Sequence, residues 1–142
     1  MIQKNDLQQA VMLLKENGLT CAIVGPNTTY TSTARGILPL LTCYKEKKTE
    51  NGCSAADKVV GRAAAFMYVL LRVDALFAEV LSKPALRVLE EAGIEVQYGK
   101  LVEAIVNRTG TGFCPMESAV LHIDDPLEAL AAVERKLAEL RK

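Results

Sequence analysis

The sequence predicts an α/β fold, a three-layer α/β/α sandwich with a mixed sheet, in a single domain over residues 1–142. Two observations predict it. Short apolar segments rich in β-branched residues alternate along the chain with longer segments of helical periodicity. An opening hairpin precedes this alternation, so we expect helices on both faces of one mixed sheet.

The N-terminal segment is predicted to form a helix followed by a hairpin. Residues 6–17 carry apolar side chains at helical spacing, and Gly18 provides a stop. Residues 19–25 are apolar and β-branched, which is typical of a buried strand. After a short turn, residues 29–34 predict the returning strand.

Two helices are predicted next. Residues 36–46 favour a helix if Pro39 falls in its first turn. Residues 55–72 form the densest apolar stretch, and their alanine content predicts a buried helix that begins near Asp57. Gly61 would then lie in the second turn, where glycine is costly and suggests a close approach by backbone or ligand.

The C-terminal half alternates again between strand and helix patterns. Residues 75–82 and 94–99 predict strands, and a helix opened by Pro84 lies between them. Residues 101–108 fit either type of element. A short helix over 114–123 and an amphipathic helix over 124–142 complete the chain.

Composition excludes several classes of protein. Seventeen basic residues balance seventeen acidic ones, which argues against a general nucleic-acid binder. No apolar run reaches about 18 residues, so no membrane partner is expected. The N-terminus lacks the pattern of a signal peptide, and the expected location is cytoplasmic, with the four cysteines reduced.

The segment NRTGTGFCPMESAV, residues 107–120, is the first candidate site. Glycines, hydroxyls and an arginine precede a predicted helix start, where N–H groups can bind an anion. Cys114 at that position would have a lowered pKa, while Pro115 and Glu117 also suit a plain capping box. The candidate ligand-binding residues in this segment are Asn107, Arg108, Thr109, Thr111, Gly112, Cys114 and Glu117.

Two shorter motifs supply further candidates. Asp57, Lys58 and Gly61 would lie at the start of the buried helix, where an Asp–Lys pair could bind a ribose hydroxyl and a phosphate. Simple capping by Asp57 with a solvated Lys58 explains the same residues equally well. Arg35 and Gly36, at a predicted strand end, could reach the same pocket, although a surface arginine in a turn is the simpler interpretation.

Three motifs carry a resemblance to a known group of proteins: residues 56–65, residues 78–86 and residues 107–117. Their layout resembles the cytidine deaminase-like fold, in which one helix opens with H-x-E or C-x-E and a second with P-C-x-x-C. The chain is identified as a member of an uncharacterised prokaryotic family of unknown function with that fold. The resemblance implies a pocket where two helix N-termini meet.

The metal ligands of zinc deaminases are not reproduced at these positions. Ala56-Asp57-Lys58 stands where H-x-E is expected, and only Cys114 remains as a ligand near the second motif. We therefore expect no zinc and no other cofactor.

Three functional hypotheses remain open. The first is a domain that binds a nucleotide or another phosphorylated small molecule between the two helix starts. The second is a metal-free enzyme with Cys114 as nucleophile or carrier, Lys58 lowering the pKa of its thiol and Asp57 accepting a proton. The third is a structural or partner-binding domain, in which the amphipathic terminal helices form a homodimer or simply cover the sheet.

Overall fold

The computed structural model describes residues 4–16, 18–34, 36–105 and 115–140. The elements along the chain are α1 (Lys4–Glu16), β1 (Cys21–Val24), β2 (Thr29–Ser32), α2 (Leu38–Glu46), β3 (Ser54–Val60), α3 (Arg62–Leu70), β4 (Ala75–Ser82), α4 (Lys83–Glu91), β5 (Glu95–Val102), α5 (Pro115–Ala119) and α6 (Pro126–Leu140).

The five strands form one mixed, open sheet in the order β2-β1-β3-β4-β5. The β1–β2 hairpin and the β1–β3 pair are antiparallel, whereas β3, β4 and β5 run parallel to one another. The direction of the strands therefore reverses between β1 and β3. At this reversal Cys21 of β1 lies directly opposite Asp57 of β3.

The side chains of successive strand residues alternate between two apolar clusters, one on each side of the sheet. We name the two sides after what covers them. On the α1 face, helix α1 packs over β1, β3 and β4 around a small cluster that consists of Ala10, Leu14, Leu19, Ala22, Val24 and Ala56. The opposite, cleft face carries the larger cluster, to which α2, α3, α4 and α6 contribute. The predicted α/β fold with helices on both faces of a mixed sheet is confirmed.

Residues 54–60 differ from the sequence prediction. The predicted helix over 55–72 is wrong in its first part: Ser54–Val60 forms β3, the central strand, and the helix starts only at Arg62. Both faces of this strand are covered, so small side chains such as Ala55 and Ala56 allow close packing on each side. Pairing with β1 and β4 thus overrides the helix propensity of alanine.

The remaining elements agree with the prediction to within a few residues. Pro39 lies in the first turn of α2, as its position required. Gly93, with a φ of 79°, follows α4 and stops it. The ambiguous segment begins with the last two residues of β5, Leu101 and Val102. None of the helices in the described parts of the chain is long and apolar enough to cross a membrane.

The two terminal helices both cover other elements. Helix α1 buries Leu7, Ala10 and Leu14. Helix α6 packs on α3 and α5 and buries Ala129, Ala132 and Val133. The covering role is therefore observed for both helices, and a homodimer through their outer faces stays a prediction.

Candidate functional site

A cleft of about 430 Å³ opens on the cleft face, where β1 and β3 run in opposite directions. Its walls come from the start of β1, the end of β3, the start of α3, the turn before α2 with the first turn of that helix, the segment after β5, and α5. The lining residues are Thr20, Cys21, Gly36, Ile37, Pro39, Leu40, Asp57, Lys58, Val59, Gly61, Ala63, Ala64, Ile105, Met116 and Glu117. This volume lies in the range of small-molecule sites, and the walls are mainly apolar with a few polar groups.

Asp57 is the central polar group of the cleft. Its Oδ2 accepts a hydrogen bond from the Tyr68 hydroxyl at 2.6 Å, and its Oδ1 accepts one from the Val59 N–H at 3.3 Å. Burial raises the pKa of the Asp57 carboxyl to about 7, and the charge of Glu79 on β4 adds to this rise. The hydrogen bonds, above all that from Tyr68, lower the pKa and partly offset the burial.

Tyr68 connects Asp57 to the core. Its side chain is fully buried in α3, and its hydroxyl lies 3.4 Å from Cys21 Sγ as well as next to the Asp57 carboxyl. Burial raises the pKa values of both the Cys21 thiol and the Tyr68 phenol, so both groups are neutral near pH 7. The cleft is thus continuous with a buried chain of three polar side chains.

Glu117 fills the N-terminus of α3. Its carboxylate accepts hydrogen bonds from the backbone N–H groups of Arg62 at 2.6 Å and Ala63 at 2.9 Å. Sequence reasoning placed Glu117 in the capping box of its own helix, but its carboxylate caps α3 instead, 55 residues away in the chain from Arg62. A negative charge at this helix end is favourable because it faces the positive end of the helix dipole.

Gly61 makes this contact possible. It is the N-cap residue of α3 in an extended conformation, not a residue of the second helical turn as predicted. A Cβ atom at this position would lie only 2.7 Å from Glu117 Oε2, so any larger side chain would push the carboxylate away. The close approach inferred from glycine is therefore made by the Glu117 side chain.

Arg62 forms hydrogen bonds with the segment that follows α5. Its guanidinium donates to the carbonyl oxygens of Val120 and Ile123 and to Asp124 Oδ1, the last at 2.9 Å. It also lies over the Phe66 ring, 4.9 Å from the ring centre. Together, Arg62 and Glu117 hold residues 115–124 against the start of α3.

Five of the predicted site residues line this one cleft: Gly36, Asp57, Lys58, Gly61 and Glu117. The expected position of Asp57 and Lys58 at a helix N-terminus is wrong, because both lie on β3. Consequently Asp57 does not cap a helix. Among the described residues, the N-termini of α2 and α3 both lie at the cleft. The other predicted residues lie outside the described residues: Arg35, Asn107, Arg108, Thr109, Thr111, Gly112 and Cys114.

Sequence reasoning missed Tyr68 and Cys21. Both were assigned to apolar core segments, and only the β1–β3 register together with the return of α3 over that pair brings them to Asp57. One clue was present in the sequence: a buried tyrosine needs a partner for its hydroxyl. Distance along the chain does not identify that partner, because Asp74 is nearer to Tyr68 than Asp57 is.

The described residues do not fit a deaminase-type zinc centre. No three of their His, Cys, Asp and Glu side chains cluster as metal ligands. The donors nearest the cleft are otherwise engaged: Glu117 binds α3 N–H groups, and the Cys21 thiol is neutral because burial raises its pKa. A thiol must lose its proton to bind zinc.

Comparison with known proteins identifies the family but no activity. No curated protein matches the chain. A solved structure of a DUF1893 family protein (TM1506) from Thermotoga maritima is similar, with 29% sequence identity, a TM-score of 0.87, and coverage of 96% of this chain and 92% of that one. The family model described as a domain of unknown function, DUF1893, matches residues 9–137. The chain therefore belongs to the DUF1893 family.

Proposed function

We propose that this protein binds a small organic molecule in the Asp57 cleft, and that its ligand is a nucleotide or another phosphorylated molecule. The observation that carries the proposal is the cleft itself: apolar walls surround the partly buried carboxyl of Asp57 between β1 and β3, where strand order reverses in the sheet. Open α/β sheets commonly bind ligands beyond the carboxyl ends of the strands at the point where strand order reverses, and the end of β3 lies in this cleft. The cytidine deaminase-like assignment stays a prediction.

The position of a phosphate group is restricted by Glu117. Its carboxylate already accepts the first N–H groups of α3, so a phosphate does not bind there unless that carboxylate leaves. Lys58 is exposed at the cleft and is the described cation that can pair with a phosphate. We place the phosphate between Lys58 and the predicted glycine–threonine segment.

The chain on either side of residues 106–114 supports this placement. Ile105, which precedes the segment, and Met116, which follows it, both line the cleft. The described chain thus ends and resumes at the walls of the cleft, and the sequence between these points contains Arg108, Thr109 and Thr111. Those residue types suit phosphate recognition.

A thermal-shift panel tests the proposal. Nucleotides, nucleosides, sugar phosphates and inorganic phosphate are compared on the wild type and on Asp57→Asn, Lys58→Ala and Arg108→Ala. A bound ligand at about 100 times its Kd stabilises the folded state by about 2.7 kcal/mol. We expect a phosphorylated member to raise the melting temperature of the wild type and to lose that effect in the variants.

Lys100→Ala is the matched control, because Lys100 is also exposed but lies on β5 and does not line the cleft. Its response should equal that of the wild type. Stabilisation by no member of the panel, or equal stabilisation of wild type and cleft variants, contradicts the proposal.

A further inference from the structure

The hydrogen bonds that link the side chains of Cys21, Tyr68 and Asp57 have a defined donor-to-acceptor direction. Asp57 and Cys21 face each other across the β1–β3 pair, and the Tyr68 hydroxyl lies within hydrogen-bond distance of both side chains. An ionised carboxylate can only accept hydrogen bonds. The phenol must then give its one proton to Asp57, and the thiol gives its proton to the phenol oxygen.

Acceptor capacity remains at Asp57. Each carboxylate oxygen can accept two hydrogen bonds; Oδ2 accepts one from Tyr68 and Oδ1 one from the Val59 N–H. The Lys58 N–H, which donates to the Thr20 carbonyl oxygen, also lowers the pKa of Asp57. The second carboxylate of the cleft, Glu117, also has one donor per oxygen, but its charge lies at the positive end of α3. Hence a ligand that fills the apolar cleft meets carboxylate oxygens of Asp57 whose acceptor capacity is only partly used by the described donors.

The charges around Asp57 favour a cationic partner. The charge of Glu79 on the neighbouring strand β4 raises the pKa of Asp57, and Glu117 lines the same cleft from α5. The groups from β1 and α3, Cys21 and Tyr68, are neutral. Lys58, the adjacent residue on β3, is exposed at the rim. A positively charged donor placed at Asp57 would offset the repulsion from Glu79.

We propose that Asp57 selects ligands that present N–H donors from a planar, positively charged group on an apolar body, such as an amidine or a protonated aminoheterocycle, and that Tyr68 is the residue that positions its carboxylate. This inference rests on the proposed cleft function and adds the chemical class of the group that enters it. Asp57 contacts the ligand directly, whereas Tyr68 acts through Asp57.

Three isosteric probes test the selection: benzamidine, benzamide and benzoate. They share a ring of similar shape but present two donors, one donor with one acceptor, and two acceptors. At about pH 9, where Asp57 is ionised, benzamidine should bind at least about tenfold more tightly than benzoate, because charge-assisted hydrogen bonds are the strong ones. Affinities are measured by NMR titration of the full chain.

The variants separate selection from general damage to the cleft. Asp57→Asn should remove the preference for benzamidine, and Glu95→Gln, an exposed acid on β5, should leave it unchanged. Retained cooperative unfolding shows that each variant is folded. Equal binding of benzamidine and benzoate to the wild type, or no binding of any of the three probes, overturns the inference.

Tyr68→Phe tests the positioning role through a pH profile. Benzamidine binding should grow as Asp57 ionises, with a midpoint near its pKa of about 7. Loss of the Tyr68 hydrogen bond should move the midpoint to higher pH, and Glu79→Gln should move it to lower pH, since the first contact lowers the pKa and the second raises it. A weaker affinity with an unmoved midpoint would show that Tyr68 is only structural, and would overturn its assigned role.

The two proposals fail in different ways. In one outcome, phosphorylated ligands stabilise the wild type and not the cleft variants while benzamidine and benzoate bind equally. In that case the cleft remains a ligand site, and the proposed selection of N–H donors by Asp57 is wrong. If neither the panel nor the probes respond to Asp57→Asn, both are wrong.

Discussion

The apolar clusters on the two faces of the sheet differ in the polar side chains that accompany them. On the α1 face a single helix packs over a small cluster of aliphatic side chains, among them Leu14 and Val24. On the cleft face the larger core contains the chain of Cys21, Tyr68 and Asp57 and opens into a cavity. Burying a carboxyl without hydrogen bonds is costly, and Asp57 has two. The α1 face therefore serves for packing, whereas the cleft face also holds the polar groups of the proposed site.

Leu14→Ala should give the largest loss of stability. Leu14 is 1% exposed in the α1 cluster, and a leucine truncated to alanine in a core costs about 2–5 kcal/mol. The free energy of unfolding is measured by urea denaturation. The preference of the cleft for benzamidine over benzoate should be unaffected. Met12→Ala, on the same helix but 56% exposed, is the control and should change the free energy by less than about 0.5 kcal/mol. A small effect of Leu14→Ala would contradict the stabilising role of the α1 face.

The pH dependence of the free energy of unfolding should reflect the ionisation of Asp57 on the cleft face. Burial raises the pKa of this carboxyl from 3.8 to about 7, so between those pH values the folded state binds a proton that the unfolded state has released. The free energy of unfolding of the wild type should therefore fall, relative to Asp57→Asn, as pH rises from about 4 to about 7, by on the order of 2–4 kcal/mol. Urea titrations across this range measure it, and parallel curves for the two proteins would contradict the assignment.

Gly61→Ala should disrupt the contact between α3 and Glu117. The added Cβ displaces the carboxylate, which costs the hydrogen bonds to Arg62 and Ala63, about 1–3 kcal/mol. In a Glu117→Ala background the same substitution should cost only the roughly 0.5–1 kcal/mol of an alanine at an N-cap. A double-mutant cycle measures the coupling. Equal costs in both backgrounds would show that Glu117 does not constrain Gly61.

The smallest predicted change in the free energy of unfolding comes from a comparison of two fully buried serines. Ser54, which alternates with Ala55 and so points to the α1 face, has a hydroxyl with no hydrogen-bond partner among the described residues. Ser82 caps α4 by accepting the N–H of Ala85 at 3.1 Å. Ser54→Ala should be neutral or stabilising by up to about 1 kcal/mol, whereas Ser82→Ala should cost about 0.5–2 kcal/mol. The reverse order, measured by urea denaturation, would show that Ser54 has a partner.

Local patterns were sufficient to predict the hairpin, β4 and the helices that carry clear start and stop residues. Pro39 and Gly93 acted through their own backbone constraints, which do not depend on distant parts of the chain. The alanines at the start of β3 did not carry such information. Alanine favours a helix in isolation, and only the pairing of Ala55 and Ala56 with strands on both sides makes them part of the sheet.

The site was predictable as a set of residues but not as an arrangement. Asp57, Gly61 and Glu117 were selected because acids and glycine near a helix start have local explanations. Their observed roles depend on partners 11 to 55 residues away along the chain, Tyr68 for Asp57 and Arg62 for Glu117. A carboxylate three residues into a helix fits its own N-terminus as well as another, and sequence spacing does not distinguish the two.

The carboxylate of Glu117 also has a consequence for motion. Helix α5 is five residues long and has no buried residue, yet it supplies the partner for the first N–H groups of α3. Detachment of α5 would expose the amides of Arg62 and Ala63 to solvent while the rest of α3 stays intact. Hydrogen exchange at these two amides should therefore be faster than in the middle of α3, and its rate reports how often one wall of the cleft opens.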